Sequence, residues 1–386
     1  MSTRTVGAGK TYSTIQAALD ALYVAVGGTT FTETQTIEVY DGTYTEQVTP
    51  NANLKPTAVY RLVMTAATGN APVVTGSDVR TSGFYVDSIN YVTITGFIII
   101  NTTGSGIFLY AGTYGILNNN TCYSNTSNGI RCQSANALVY SNTCYSNGVG
   151  IYVSVSSVSI YGNTVYSNTA QGIYCYNSAT CIIYGNYSYS NTVGISCESG
   201  SGGHTVYNNI CYSNSSDGII FWASDSGRLY NNTLYLNDLQ LGGVSTNAIV
   251  KNNIISRTSG NCLYVRADSV TGFVSNNNDF HKAGSANVAN YNGSTYSTLA
   301  LYQAASSQDA NSISADPLFV GSPSLGADYY KLQRPSPCRR IGADLSGTFT
   351  TDYYGLTRRL PWHLGAIIAN RDFITRTVIT RAVKTF

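Results

Sequence analysis

Charge is what this chain has least of. Lysine, arginine, aspartate and glutamate together make up 10% of its 386 residues, against roughly 25% in ordinary globular domains. The few charges nearly cancel, to a formal net charge of +2. Without a basic stripe there is no electrostatic footprint for nucleic acid or for an anionic membrane surface. No window is apolar for long enough to cross a bilayer. The opening stretch MSTRTVGAGKTYSTIQ lacks the apolar run of a secretory signal, so release outside the general secretory route, or residence in the cytoplasm, is expected. Nine cysteines are an odd number, which excludes a complete internal disulfide framework. In place of charge the chain carries 32 tyrosines and 37 glycines, with asparagine, serine and threonine at most other polar positions. That composition describes a neutral polar surface with aromatic decoration.

Comparing the chain with itself exposes its organisation. NNTCYSN (119–125), SNTCYSN (141–147), GNTVYSN (162–168), GNYSYSN (185–191), NNICYSN (208–214) and NNTLYLN (231–237) are copies of one unit, and NNIISRT (252–258) is a decayed copy. Their anchoring asparagines are Asn120, Asn142, Asn163, Asn186, Asn209, Asn232 and Asn253, at spacings of 22, 21, 23, 23, 23 and 21. An apolar strand, usually opened by glycine, follows each anchor, as in VGIYVS and QGIYCY. Another precedes it, as in ALVY and VSIY. Rungs of about 21 to 24 residues with three short strands are too short for crossover helices, so equivalent strands must stack in parallel about 4.8 Å apart. Parallel crossovers are right-handed. The expected fold is all-β, a right-handed parallel β-helix. Its expected parts are an N-terminal cap of helix and first strands (1–50), the β-helix (51–280), and a loop-rich C-terminal cap with a terminal strand (281–386).

Aligned by column, the rungs separate inside from outside. Val139, Ile160, Ile183, Val206, Leu229 and Val250 face in, as do Ile130, Ile151, Ile173, Ile195, Ile219 and Leu263. Cys122 and Cys144 share a column with Val165, Leu234 and Ile255, so cysteine here acts as a small hydrophobe and is expected as a buried thiol. The anchor asparagines are expected at tight bends, tolerating left-handed geometry and bonding rung to rung. Residues 11–25, TYSTIQAALDALYVA, place Ile15, Ala18, Leu19 and Leu22 on one helical face, with Thr11 or Ser13 as N-cap. Such a helix plugs the open end of a solenoid. Residues 280–345 lose the repeat and read as a loop with a short helix. The alternating segment FITRTVITRAVKTF at the end reads as an extra strand, either capping the top of the solenoid or pairing with another copy of the chain in a homo-oligomer.

YSTIQAAL followed by IEVYDGTYTEQV resembles the opening of pectate lyase-like and pectin methylesterase-like β-helix proteins. ADPLFV, DYYKLQRPSPCRRIGADL and LPWHLGAI resemble the tail of bacterial and phage right-handed parallel β-helix repeat proteins. With the rungs, the resemblance covers most of the chain. It implies a partner, polysaccharide, and an activity of lyase or glycosidase type. The alternative is a non-catalytic structural or glycan-binding appendage. For a phage-associated member it implies a place on the virion. The methylesterase reading fails, because no segment matches the DFIFG-like stretch that holds that family's paired aspartates. No cofactor is expected. A Ca²⁺ site, frequent among the lyases it resembles, needs clustered carboxylates that this sequence does not assemble.

A solenoid core is packed solid, so chemistry must use outward side chains. Two outward columns are tyrosine: Tyr140, Tyr161, Tyr184, Tyr207, Tyr230, and Tyr123, Tyr145, Tyr166, Tyr189, Tyr212, Tyr235. They read first as strand-stabilising stacks, since they run the full length of the repeat, with a platform for sugar rings as the alternative. The glycine-opened strand is different, its outward positions running Arg131/Gln133, Tyr152/Ser154, Tyr174/Tyr176, Ser196/Glu198, Ile220/Trp222 and Tyr264/Arg266. Scarce charge gathers there beside aromatic rings. Glu198, Asp217, Asp225, Arg228 and Arg266 are therefore the catalytic candidates, and Tyr174, Tyr176, Trp222, Lys251 and Tyr264 the substrate-binding candidates. Glu198 and Asp217 sit five residues out of register, about 16 Å at 3.3 Å per residue, too far for the two carboxylates of glycoside hydrolysis. His204 falls in an inward column and is expected to be buried.

Overall fold

The computed structural model describes residues 1–368 except 78, 156, 179, 201 and 322; the expected terminal strand lies outside the described residues. The repeat winds into a right-handed solenoid of three parallel sheets. The first has twelve strands, from Ser2–Val6 to Val274–Asn276. The second has eleven, from Thr43–Tyr44 to Asp279–Lys282. The third has eleven, from Ser82–Asp87 to an antiparallel hairpin of Asn287–Tyr291 with Ser294–Tyr296. From Leu62–Ala66 onward each rung visits the sheets in that order. The inward columns are buried as expected, and all nine cysteines are free and buried.

Two buried asparagine stacks hold the corners. Asn186 Nδ2 donates to Asn209 Oδ1 (2.9 Å) and to the Ile160 carbonyl (2.9 Å), and its backbone N–H also donates to Asn209 Oδ1 (3.0 Å). The same pattern runs through the anchors between the first and second sheets. A parallel stack of Asn125, Asn147, Asn168, Asn191, Asn214 and Asn237 lines the corner between the second and third. The left-handed residue is not the anchor itself but the one before it: Ser141, Gly162, Gly185, Asn208 and Asn231 at the first corner, Ser124, Ser146, Ser167 and Ser190 at the second. That residue turns the chain, which leaves the asparagine free to aim its amide inward. The glycines opening the third-sheet strands follow from the second stack. A Cβ on Gly150 would lie 2.5 Å from the Gly172 carbonyl oxygen and 3.0 Å from Asn168 Nδ2.

The helix α1 (Ile15–Val26) closes the first rung, burying Ile15, Ala18, Leu19 and Leu22. Its N-cap is Thr14 rather than Thr11 or Ser13: Thr14 Oγ1 accepts from Ala17 N (3.2 Å), and the Glu46 carboxylate accepts from Ile15 N and Gln16 N (both 2.9 Å). Before it, Ser2–Val6 already pairs in parallel with Gln35–Val39, so the solenoid starts ahead of its plug. At the other end the segment read as loop contributes Asn287–Tyr291 to the third sheet, and α2 (Leu299–Ser306) seats Tyr302 in the core. Neither helix is long and apolar enough to cross a membrane.

Residues beyond α2 turn back along the side of the solenoid. They dock on corner positions where asparagine replaces the serine and glycine of earlier rungs. Asn208, Asn231, Asn252 and Asn277 donate to the carbonyls of Thr351, His363, Ala343 and Ile341 at 2.7 to 3.0 Å. Arg358, in the segment RRLPWH, is buried and donates to Asn208 Oδ1 (2.7 Å) and to the Gly365 and Ala366 carbonyls (2.9 Å each). This tail covers the upper parts of both tyrosine columns. Tyr140, Tyr161, Tyr184 and Tyr207 stack at 4.8 to 4.9 Å, and Phe349 continues the stack on Tyr207 at 4.3 Å. Tyr235 lies under Phe319, Tyr329 and Tyr330.

Two predictions follow from these contacts. Asn186→Leu leaves the buried Asn163 N–H without its acceptor and takes the amide donor from the Ile160 carbonyl, while Asn163 Nδ2 keeps the Val139 and Tyr161 carbonyls; an unsatisfied buried group costs about 1–3 kcal/mol. Urea titration should therefore show a loss of at least about 2 kcal/mol, against roughly 1 kcal/mol for Tyr161→Leu in the half-buried stack. The second concerns Asp279, buried beside Cys338 and accepting from Ala315 N (3.0 Å). Burial pushes its carboxyl up to about 7 from 3.8. A carboxyl whose folded value is raised loses stability as pH climbs between those values and no more above them. Wild type should therefore weaken relative to Asp279→Asn from pH 4 to 7 in thermal melts, then run parallel to it.

Candidate functional site

With two faces partly overlaid by the tail, the third sheet presents the longest open row of outward side chains. One column runs Tyr85, Phe108, Arg131, Tyr152, Tyr174, Ser196, Ile220, Gln240 and Tyr264. The second includes Asp87, Tyr110, Gln133, Tyr176, Glu198, Trp222 and Gly242. Strand alternation puts these side chains outside because Ile130, Ile151, Ile173, Ile195 and Ile219 are held inside.

Glu198 stands between Tyr176 and Trp222 on neighbouring rungs, as the repeat predicts. The Tyr174 hydroxyl donates to Glu198 Oε2 (3.0 Å) and Ser196 Oγ donates to Oε1 (2.7 Å). Burial first, and then the Glu198 carboxylate, push the Tyr174 phenol well above its ordinary value. It is a proton donor across the physiological range. Trp222 is exposed, and the Arg266 guanidinium lies over its ring at 5.2 Å. The two are not on adjacent rungs. The column alignment passes from Ile219 straight to Leu263, but a full rung with strand Leu239–Gly242 lies between. Arg266 reaches Trp222 across Gly242, where a Cβ would lie 2.5 Å from Arg266 Cδ and 2.7 Å from Trp222 Cζ3.

The remaining candidates are dispersed, which corrects their grouping into one site. Asp217 is buried at the corner leading into the Trp222 strand. A neighbour on the next rung is Asp238, which burial and the Asp217 charge raise to about 7, while Arg257 Nη1 stands 3.5 Å from Asp238 Oδ1. This pair belongs to the turn, away from Glu198. Asp225 lies beyond the far end of the strand, in the turn to the first sheet. It accepts from Thr246 Oγ1, Asn247 Nδ2 and Ser226 Oγ, and these bonds, Thr246 first, hold its carboxyl below the usual range. Arg228 and Lys251 point out from the first sheet, in register with Thr205 and Tyr230 respectively. They share a stretch of sequence with Trp222 but not a face, because the chain turns a corner at residues 223–227. Tyr264 is on the correct face, beside Gln240. His204 is buried, its Nδ1 accepting from Cys181 N (3.0 Å).

The candidates that share this face are Tyr174, Tyr176, Glu198, Trp222, Arg266 and Tyr264, and Ser196 and Gly242 join them. Ser196 was legible as an outward position and was passed over for want of charge. Gly242 lacked any signal, since LQLGG does not open on glycine. Among the described residues no three His, Cys, Asp or Glu side chains gather as a metal-ligand set. The residues do not fit a Ca²⁺ centre, and no step is derived through one.

A protein family described as right handed beta helix region matches residues 66–188 and 150–301. No curated protein sequence matches the chain. Among solved structures, the chain is similar to pectate lyase Pel9A, with 15% identity, a TM-score of 0.62, and coverage of 96% of this chain and 98% of that one. It is also similar to XylC in complex with xylose (11% identity, TM-score 0.60, 95% and 98% covered). A third is the A-module of the Azotobacter vinelandii mannuronan C-5 epimerase AlgE4 (17%, 0.54, 72% and 93%). At such identities the likeness is one of fold.

The crowding at Gly242 yields a direct test. Gly242→Val should lift Arg266 off Trp222, leaving the indole more open to acrylamide quenching while the buried Trp362 stays protected. Unchanged quenching in the folded variant would mean that Gly242 does not control the stack.

Proposed function

The chain belongs to the right-handed β-helix family, and on that premise we propose that it binds a polysaccharide along the outer face of its third sheet and cleaves it by elimination. The observation that carries this reading is the Tyr174–Glu198–Trp222–Arg266 group on one exposed face. Tyrosine and tryptophan rings offer stacking surface for sugar rings, with polar groups fixing orientation. Elimination at a uronate needs a cation for the carboxylate, a base for the adjacent C–H, and an acid for the leaving oxygen. Arg266 supplies the first, Glu198 the second and the protonated Tyr174 the third. Hydrolysis is less well supported. Among the described residues, the other outward carboxylate of these strands, Asp87, lies five rungs from Glu198, about 24 Å at 4.8 Å per rung, where a carboxylate pair works at roughly 5–9.5 Å. The similar structures, a pectate lyase and a mannuronan epimerase among them, support a polysaccharide partner.

A second reading, glycan binding without chemistry, is favoured by one observation. Both oxygens of Glu198 already accept hydrogen bonds, from Ser196 and Tyr174, which suits a structural carboxylate. One experiment separates the two. Acidic and neutral polysaccharides are incubated with the protein, and unsaturated-uronate absorbance and new reducing ends are followed together. Under elimination both rise, Glu198→Gln and Tyr174→Phe lower the rate by about 100-fold, and Trp222→Ala chiefly weakens binding, by roughly tenfold. Binding without either product supports the second reading. No binding to any polysaccharide sinks both.

A further inference from the structure

We propose that the early rungs of the third sheet hold a separate subsite for an anionic sugar ring, built around Arg131; this rests on the polysaccharide reading above and deepens it. Arg131 is three rungs before Ser196 in the same outward column, between Phe108 and Tyr152. Its guanidinium carbon lies 4.4 Å from the centre of the Phe108 ring and 5.7 Å from that of Tyr152. Two rings thus hold a planar cation in place, and they do so without supplying a hydrogen-bond acceptor. Arg131 Nε is buried and has no partner among the described residues. A buried donor left unmade is costly, and folded proteins rarely keep one without a use for it.

The use is indicated by what lies alongside. A cavity of about 260 Å³ opens there, lined by Gln47, Ser82, Tyr85, Ser105, Phe108 and Arg131 among others. Tyr85 and Phe108, ring centres 5.4 Å apart, give a sugar ring apolar faces. The serine hydroxyls and the Gln47 amide suit its hydroxyl groups. The lining carries a cation and no carboxylate, so an anion entering it meets no like charge. The nearby Asp87 is already engaged, accepting from Ser88 Oγ (2.7 Å) and Tyr85 OH (3.5 Å). A guanidinium fork matches a carboxylate or a sulfate with two parallel bonds. The site therefore selects the charged ring of a chain whose reacting part lies further along the same face.

The test uses the full-length protein and calorimetric titration with three sets of oligosaccharides of matched length: uronate-bearing, sulfated but otherwise neutral, and uncharged. Arg131→Met is expected to weaken anionic oligosaccharides by about tenfold or more and uncharged ones by less than about twofold. Whichever anionic set responds identifies carboxylate or sulfate as the group held. Ser127→Leu, in an exposed turn at the rim of the cavity, fills the opening and keeps the cation; it should reproduce the loss, and it preserves the test should the methionine variant misfold. If both variants bind anionic oligosaccharides as wild type does, while Trp222→Ala still weakens them, the Arg131 subsite is wrong and the platform stands. If wild type binds none of the three sets, both readings fall.

Discussion

Every feature of this protein depends on backbone polar groups being satisfied at the corners of the rungs. A strand that turns sharply leaves its corner N–H and C=O groups outside the sheet ladders, and burying them unpaired is prohibitive. Two stacks of asparagine amides solve this, because each side chain accepts from the rung before and donates to the rung after. The solution works at one spacing and in one register. A rung shifted by a single residue would break its own amide bonds and those of both neighbours.

That rigid register aligns what lies outside. Tyrosines stack at 4.8 to 4.9 Å because the strands beneath them are that far apart, and Glu198 meets Trp222 and Tyr176 for the same reason. The three faces share this geometry and differ in use. The tail overlays the first corner with asparagine-to-carbonyl bonds and the buried Arg358, so the repeated tyrosines there become partly interior. The third face stays open. There the column varies from rung to rung, exchanging tyrosine for serine, glutamate, tryptophan and arginine.

Legibility followed periodicity. The anchors, the inward columns, the buried cysteines and the amphipathic face of α1 were all readable, because each recurs or obeys a simple period. The Glu198–Trp222 neighbourhood was readable by the same counting. The rung of Leu239–Gly242 was missed because DLQLGG lacks the glycine-aliphatic opening, and with it went the reason Arg266 can reach Trp222. Asp225, Arg228 and Lys251 were grouped with Trp222 on closeness along the chain. A corner at residues 223–227 sends them to a turn and to the first sheet.

The sequence by itself determined the solenoid: its handedness, its rung length, its core columns and the asparagines that recur at its corners. Those properties are local and repeated, so each copy states them again. Only the tertiary structure decided which outward residues share a face, where the tail lies, and that the Arg131 guanidinium has ring neighbours while its Nε has no acceptor among the described residues. Such facts arise between residues some twenty positions apart or, for the tail, well over a hundred. No periodic pattern encodes them; they depend on where each corner turns and on which rung lies next to which.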